Sequence, residues 1–298
     1  HWQSAHTPTF QRIMIHYTLS CPKPYSHLLE LEAKFPCNNL EHLELQLPSW
    51  RPGRYELGDF AKNIKSWSAS NEAGKPLAFE KITKDKWTVA CKGESHVVVK
   101  YAYYAAELNA GSTFVSTRQM YVNPVNCFLY IPDNQDLPYS VKLNVPDSYQ
   151  LATQMEQLEK NVMVAPDVQA IMDSPFIASA ELICWKYEVE DVVYSIWILG
   201  PQNLDKAKIS SHFKAFTEAQ VKAFGSIPCK EYQFLFEMPE EVVRHGVEHS
   251  ASTVIAMGPG LDYSHGEGYR ELLGISSHEL YHTWNVKNIR PKEMMPYD

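Results

Sequence analysis

The sequence predicts a multidomain chain, β first and then α+β: an antiparallel β-sandwich over residues 1–200, followed over 201–298 by the first part of an α+β domain. Three observations carry this. From Ile13 to about Leu199 apolar residues recur with a period of two, broken by turn clusters. After Gly200-Pro201 the spacing lengthens to that of a helix, with Ile209, Phe213, Phe216 and Phe224 in step. Near the end, His278-Glu279-Leu280-Tyr281-His282 spells H-E-x-x-H, which on a helix is a zinc-hydrolase pattern.

The first unit reads as a succession of half-buried strands. Leu29, Leu31, Ala33 and Phe35 alternate with polar neighbours, as do Leu43, Leu45 and Leu47. Further strands are expected at Lys86–Ala90, Val97–Tyr103, Cys127–Ile131, Val141–Val145 and Glu181–Leu199. Turn clusters such as Asn71-Glu72-Ala73-Gly74 and Pro132-Asp133-Asn134 separate them. Pro48, Pro52 and Gly53 break the period inside Leu47-Pro48-Ser49-Trp50-Arg51-Pro52-Gly53-Arg54-Tyr55, so this aromatic stretch is expected to be a structured loop. Beyond a boundary near residue 200 come a helix, strands at Tyr232–Phe236 and Ser252–Met257, and a second helix. Tyr269, Leu272, Leu273 and Ile275 give that helix an apolar face, and Pro291 marks a stop. No internal repeat or low-complexity segment interrupts the chain.

The composition is that of a globular protein: 298 residues, 45% hydrophobic and 21% charged. A net charge of −8 without a Lys/Arg cluster argues against a nucleic-acid partner. No apolar run approaches the roughly 18–20 residues that cross a bilayer, so a soluble protein without a membrane partner is expected. Cys21, Cys37, Cys91, Cys127, Cys184 and Cys229 contain no C-x-x-C. Most read as buried thiols, with a Cys21 to Cys37 disulfide the one alternative. A cytoplasmic location is the working expectation. The periplasm stays open, because the chain begins with His1 and an upstream signal could have been removed.

Two histidines four apart share one helical face, about 5–6 Å apart at Cβ, so both imidazoles can reach one metal ion. Glu279 then stands beside the ion as a carboxylate able to take a proton from water. Composition alone would produce the five-residue pattern in a chain this long with odds on the order of a few per cent. A rival exists in His245-Gly246-Val247-Glu248-His249, which satisfies the inverted H-x-x-E-H. Gly246 weakens a helix there by about 1 kcal/mol, and the apolar run Ser252 to Met257 leaves little room for a ligand helix.

The motifs resemble those of the glycyl aminopeptidase family, relatives of aminopeptidase N among the thermolysin-like gluzincins. His278 to Pro291 is similar to the family's H-E-x-x-H-x-W-N-x-K-x-x-R-P. Gly246 to His249 with Ser252-Thr253 resembles its second motif, Leu47 to Tyr55 its N-terminal one, and Asp173-Ser174-Pro175 gives a weaker fourth likeness. The resemblance implies a β-domain packed on the first part of a thermolysin-like zinc metallopeptidase domain, with zinc on His278, His282 and a downstream glutamate. It makes Glu279 the general base. It also places Gly246, Val247, Glu248 and His249 on an extended strand lining the substrate cleft, with Glu248 binding the free α-amino group of peptides. The implied activity is removal of small N-terminal residues, glycine above all. Trp284, Asn285, Lys287 and Arg290 read first as residues that pack and orient the zinc helix.

The chain stops at Asp298, sixteen residues after His282, whereas the family's third ligand is expected about thirty residues on. The expectation is therefore the N-terminal part of a longer enzyme, inactive by itself, with a PDZ module possible downstream. Asp298 and His265 are the substitutes for a third ligand within the sequence. The alternative reading is a non-catalytic peptide-binding relative that keeps a vestigial zinc helix. Oligomeric state is not legible.

Overall fold

The computed structural model describes residues 13–51 and 56–285. Strand Ile15–Ser20 is the middle of a seven-stranded sheet, antiparallel to Leu28–Pro36 and parallel to Tyr139–Asn144. His96–Tyr104 and Ile64–Ser70 extend one side, and Val162–Ala165 and Glu156–Glu159 the other. The alternation read from sequence is the cause: Leu29, Leu31, Ala33 and Phe35 are buried while Glu30 and Glu32 between them are exposed. Leu43, Leu45, Trp87 and Val89 of a three-stranded sheet join the same apolar core, so the two sheets pack face to face. A four-stranded sheet of Gln150–Thr153, Phe176–Ser179, Met120–Val122 and Phe114–Val115 completes the first unit.

Two expectations change. Cys127–Ile131 is not a strand. Pro124–Cys127 is a helical turn, and the chain then crosses the core with one bridge, Gln46 to Tyr130. Tyr17 holds this segment by accepting from Leu129 N at 2.8 Å and donating to Leu129 O at 3.0 Å. A run buried on every side carries no alternation, so periodicity cannot assign it. The second change concerns Glu181–Leu199. The hairpin Ile183–Val189 with Val192–Leu199 pairs through Val192–Leu199 with Glu231–Glu237, which moves the division between the units from near residue 200 to between Ser179 and Ile183. A period of two identifies a strand but not its sheet. Gly200 is a tight turn, at φ 115°, where a Cβ would lie 2.0 Å from Met238 O.

The resulting sheet runs in the order Ile183–Val189, Val192–Leu199, Glu231–Glu237, Ser252–Gly258 and Val243–Glu248. The three central strands are parallel, and Val243–Glu248 is an antiparallel edge. Helices Lys206–Phe224 and Gly266–Tyr281 cover one face, burying Ile209, Phe213, Leu272 and Leu280 against Tyr232, Phe234, Phe236 and Ile255. The other face meets the first unit, where Leu235, Val247, Val254 and Ala256 pack on Tyr121, Ala152 and Ile177. The edge strand is thereby wedged between the motif helix and the β-sandwich. The six cysteines are free thiols, so the Cys21 to Cys37 disulfide does not form. Among the described residues no helix is long and apolar enough to cross a membrane.

Candidate metal and substrate site

The helix Gly266–Tyr281 buries Tyr269, Leu272, Ser276, Glu279 and Leu280, a spacing of threes and fours that aims Glu279 at the sheet. Glu279 is consequently only 5% exposed. His278, turned by about 100° from it, reaches the surface, and His282 follows at the C-terminal cap. The two Nε2 atoms stand 3.1 Å apart, with the ring planes at 90°. Two imidazole nitrogens on one tetrahedral zinc lie about 3.3 Å apart, from a Zn–N bond of about 2.0–2.1 Å. The pair fits a shared ion with almost no rearrangement. Thr283 is buried beneath it, Trp284 donates to Ser226 O at 3.3 Å, and Asn285 donates to the Tyr281 hydroxyl at 3.3 Å. These residues anchor the helix end.

Across the cleft the edge strand alternates. Val243, His245 and Val247 face the first unit, while Arg244, Gly246 and Glu248 face the helix. At Gly246 a Cβ would sit 2.3 Å from Glu279 Oε1 and 2.7 Å from its Cδ, so only glycine lets the strand come this close to the carboxyl. Glu248, Glu279 and His282 each offer a ligand atom within 4.8 Å of the other two. Glu279 Oε2 is buried without a hydrogen-bond partner among the described residues. Burial, and next the charge of Glu248, push the Glu279 carboxyl from 4.5 up to about 8, with Arg51 acting in the opposite sense. This end of the cleft is short of positive charge, which a metal ion or a substrate ammonium would supply.

Several sequence expectations resolve differently. Val247 is 2% exposed and packs toward the first unit, so its side chain does not line the cleft. His249 is 4% exposed and binds Asp173, Nδ1 to Oδ1 at 3.1 Å. It holds the turn after Glu248. Asp173 also accepts from Ser250 N at 2.8 Å, and Gln154 accepts from Ala251 N at 3.1 Å and Ser252 Oγ at 2.8 Å. The Asp173-Ser174-Pro175 motif thus ties the edge strand to the β-sandwich. The inverted zinc motif fails because 245–248 is a strand, which puts His245 and Glu248 on opposite faces. His265 caps the helix thirteen residues before His278, about 20 Å away along the axis, and cannot be a ligand. Lys287, Arg290, Pro291 and Asp298 lie outside the described residues.

Arg51, Arg244 and Gln154 join the site, the first and last without a sequence signal that assigns them to it. Arg51, 9% exposed, comes from the proline-broken loop and lies flat on Gly111, where a Cβ would be 2.7 Å from its Nη2. Ala110 beside it shares the inter-unit core with Val247. A cation of the β-sandwich is thereby brought to the back of the cleft. Arg244 could have been found from Glu248 by counting two strand periods.

The Peptidase M61 N-terminal domain matches residues 16–180, more than half of the chain. The chain belongs to the M61 peptidase family. The description M61 glycyl aminopeptidase matches residues 271–298, which contain the H-E-x-x-H. No curated protein matches. Among solved structures, an aminopeptidase N family protein from Idiomarina loihiensis is similar at 27% identity and TM-score 0.85, over 96% of this chain and 50% of that one. A point mutant of an M1 zinc metallopeptidase from Deinococcus radiodurans shares the fold at 15% identity and TM-score 0.50, over 92% of this chain and 64% of that one. This M61 chain therefore spans about half to two thirds of the length of these structures.

Proposed function

We propose that this M61 chain carries the zinc helix and amino-terminus pocket of a metallo-aminopeptidase that releases small N-terminal residues, glycine and alanine first, from peptides. The observation that carries the reading is the convergence of His278 Nε2 and His282 Nε2 at 3.1 Å beside a glycine-gapped Glu279 and a second carboxylate, Glu248. Zinc held by the two imidazoles would supply a Lewis acid that polarises the scissile carbonyl and acidifies water. A catalytic zinc takes three protein ligands. Glu279 is turned onto the sheet-facing stripe and Glu248 comes from the opposite wall, so the third is assigned, following the resemblance, to a downstream glutamate about thirty residues past His282.

The chain's own groups divide the remaining work. Glu279, ionised once positive charge enters the cleft, accepts the proton of the attacking water and returns it to the leaving amine. Glu248 pairs with the substrate's α-ammonium, which fixes the register so that only the first peptide bond reaches Glu279. Gly246, having no Cβ, lets the strand lie directly against the base. Buried Val247 and the Asp173 to His249 contact hold the strand that carries both.

The test is kinetic, on the zinc-loaded full gene product with glycyl- and alanyl-arylamides. Glu279→Gln should remove turnover, by analogy with loss of a general base of about a hundredfold or more. Glu248→Ala should mainly raise KM. Equal hydrolysis of N-acetylated and free substrates by the unaltered protein would overturn the assignment of Glu248. Full activity of Glu279→Gln would overturn that of the base.

A further inference from the structure

The trough continues past the reacting residues. Arg244 lies two residues before Gly246 and four before Glu248, on the same helix-facing side of the edge strand. Arg244, Glu271, Gly274, Ile275, His278 and Glu279 line a cavity of about 420 Å³. Arg244 Nη1 is 3.4 Å from Glu271 Oε1, and its side chain is 58% exposed. At Gly274 a Cβ would meet nothing within 4 Å, so the helix leaves the opposite wall open at this level. Charge is thus ordered along the trough: Glu248, Glu279, then Arg244.

We propose that Arg244 is a specificity-determining residue on the leaving side of the cleft, receiving a carboxylate carried about two residues beyond the scissile bond. The proposal rests on the aminopeptidase reading, because Glu248 sets the register. With the α-ammonium at Glu248 and the first peptide bond beside Gly246 and Glu279, the rest of the substrate has to run toward Arg244, antiparallel to the strand. At about 3.4 Å per residue, Arg244 is about 14 Å from Glu248 along the strand, and the carboxylate of an extended tripeptide is about 10 Å from its own ammonium. The arginine side chain spans the difference. Glu271 occupies one donor of a guanidinium that has five, and an exposed pair at that separation is weak, so it aims the group without saturating it. Two sources of the carboxylate fit: the C-terminus of a tripeptide, or an acidic side chain in a longer peptide.

The experiment compares matched pairs on one sample of the zinc-loaded gene product. One pair is Gly-Ala-Ala as free acid and as amide; the other is Gly-Ala-Asp-Ala-amide and Gly-Ala-Asn-Ala-amide. The free acid, the Asp peptide, or both should be preferred about tenfold or more in kcat/KM, as a charge-assisted hydrogen bond gives. Whichever pair shows the preference identifies the source. Arg244→Gln should bring the ratio to about one, and a ratio taken on one sample is independent of the folded fraction. Absence of preference in both pairs, or its survival in Arg244→Gln, overturns the proposal. Calorimetric titration of Glu279→Gln with the same four peptides gives a readout besides turnover. Preferential binding of a carboxylate peptide there, with no peptide hydrolysed by the unaltered protein, would remove the aminopeptidase reading and leave Arg244 as a peptide-binding residue. Equal binding of all four would refute the Arg244 assignment whatever the activity.

Discussion

Gly246→Ala is the smallest change that reaches the carboxyl proposed as the base, that of Glu279. The residue needs no positive φ, so the added methyl acts through space alone. It would sit 2.3 Å from Glu279 Oε1, 2.7 Å from Cδ and 3.0 Å from Cγ, whereas ordinary contact begins at 3.4 Å. The Glu279 carboxyl therefore has to retreat by about 1 Å, and a displacement of that size costs a catalytic group about a hundredfold in rate. The far end of a side chain gives way more easily than backbone, so the stability loss should stay near the lower end of overpacking, about 1 kcal/mol. The assay is kcat on a glycyl-arylamide with zinc content and urea midpoint measured on the same samples. A Glu279→Asp background, one methylene shorter, should absorb most of the added effect of Gly246→Ala, the non-additivity expected of residues in contact. Undiminished kcat in Gly246→Ala, or strict additivity with Glu279→Asp, would refute the argument.

Other outcomes follow from other contacts. Glu237 is fully buried at the inter-unit face, where burial lifts its carboxyl from 4.5 to about 8 against a hydrogen bond from Gln119. Its folded form holds the proton longer than the unfolded one, so stability is fully present below about pH 4.5 and is lost as pH rises through about 8. Glu237→Gln should flatten that loss, by on the order of 3 kcal/mol between pH 5 and 8.5 in urea unfolding; parallel curves would refute it. Asp173→Ala removes the partner of His249 and of Ser250 N–H. It should destabilise by about 2 kcal/mol and raise KM more than it lowers kcat, with an unchanged KM counting against the anchoring role. Tyr17→Phe strips two contacts from Leu129 inside the sandwich and should lower stability by about 2 kcal/mol without altering zinc content.

What was legible in the sequence is what has a period. Leu29 to Phe35, Leu43 to Leu47 and Ile209 to Phe224 gave their elements because each has a wet and a dry side, and the H-E-x-x-H gave the site because its ligands are local. Phe128 to Ile131 was illegible because it is dry all round. The hairpin at Ile183–Leu199 reads as strand, but its pairing with Glu231–Glu237 leaves no mark on either sequence, so period alone does not assign its sheet. The site was half visible for the same reason. Glu248 and Glu279 lie in motifs and Arg244 follows from Glu248 by the strand period, while Arg51 enters only through packing between units, which links residues far apart in sequence. Val247 and His249 alternate with Glu248 and are buried, because a strand sends successive side chains to opposite faces.

Zinc content per chain, measured by elemental analysis on the unaltered gene product, Glu279→Gln and His278→Ala after dialysis at neutral pH, bears on all of this. About one tightly held zinc is expected in the first two and a large loss in the third, because the proposed site makes His278 a ligand and Glu279 the base. Retention in His278→Ala, or loss in Glu279→Gln, would contradict it and point to the Glu248, Glu279 and His282 cluster as the ligand set.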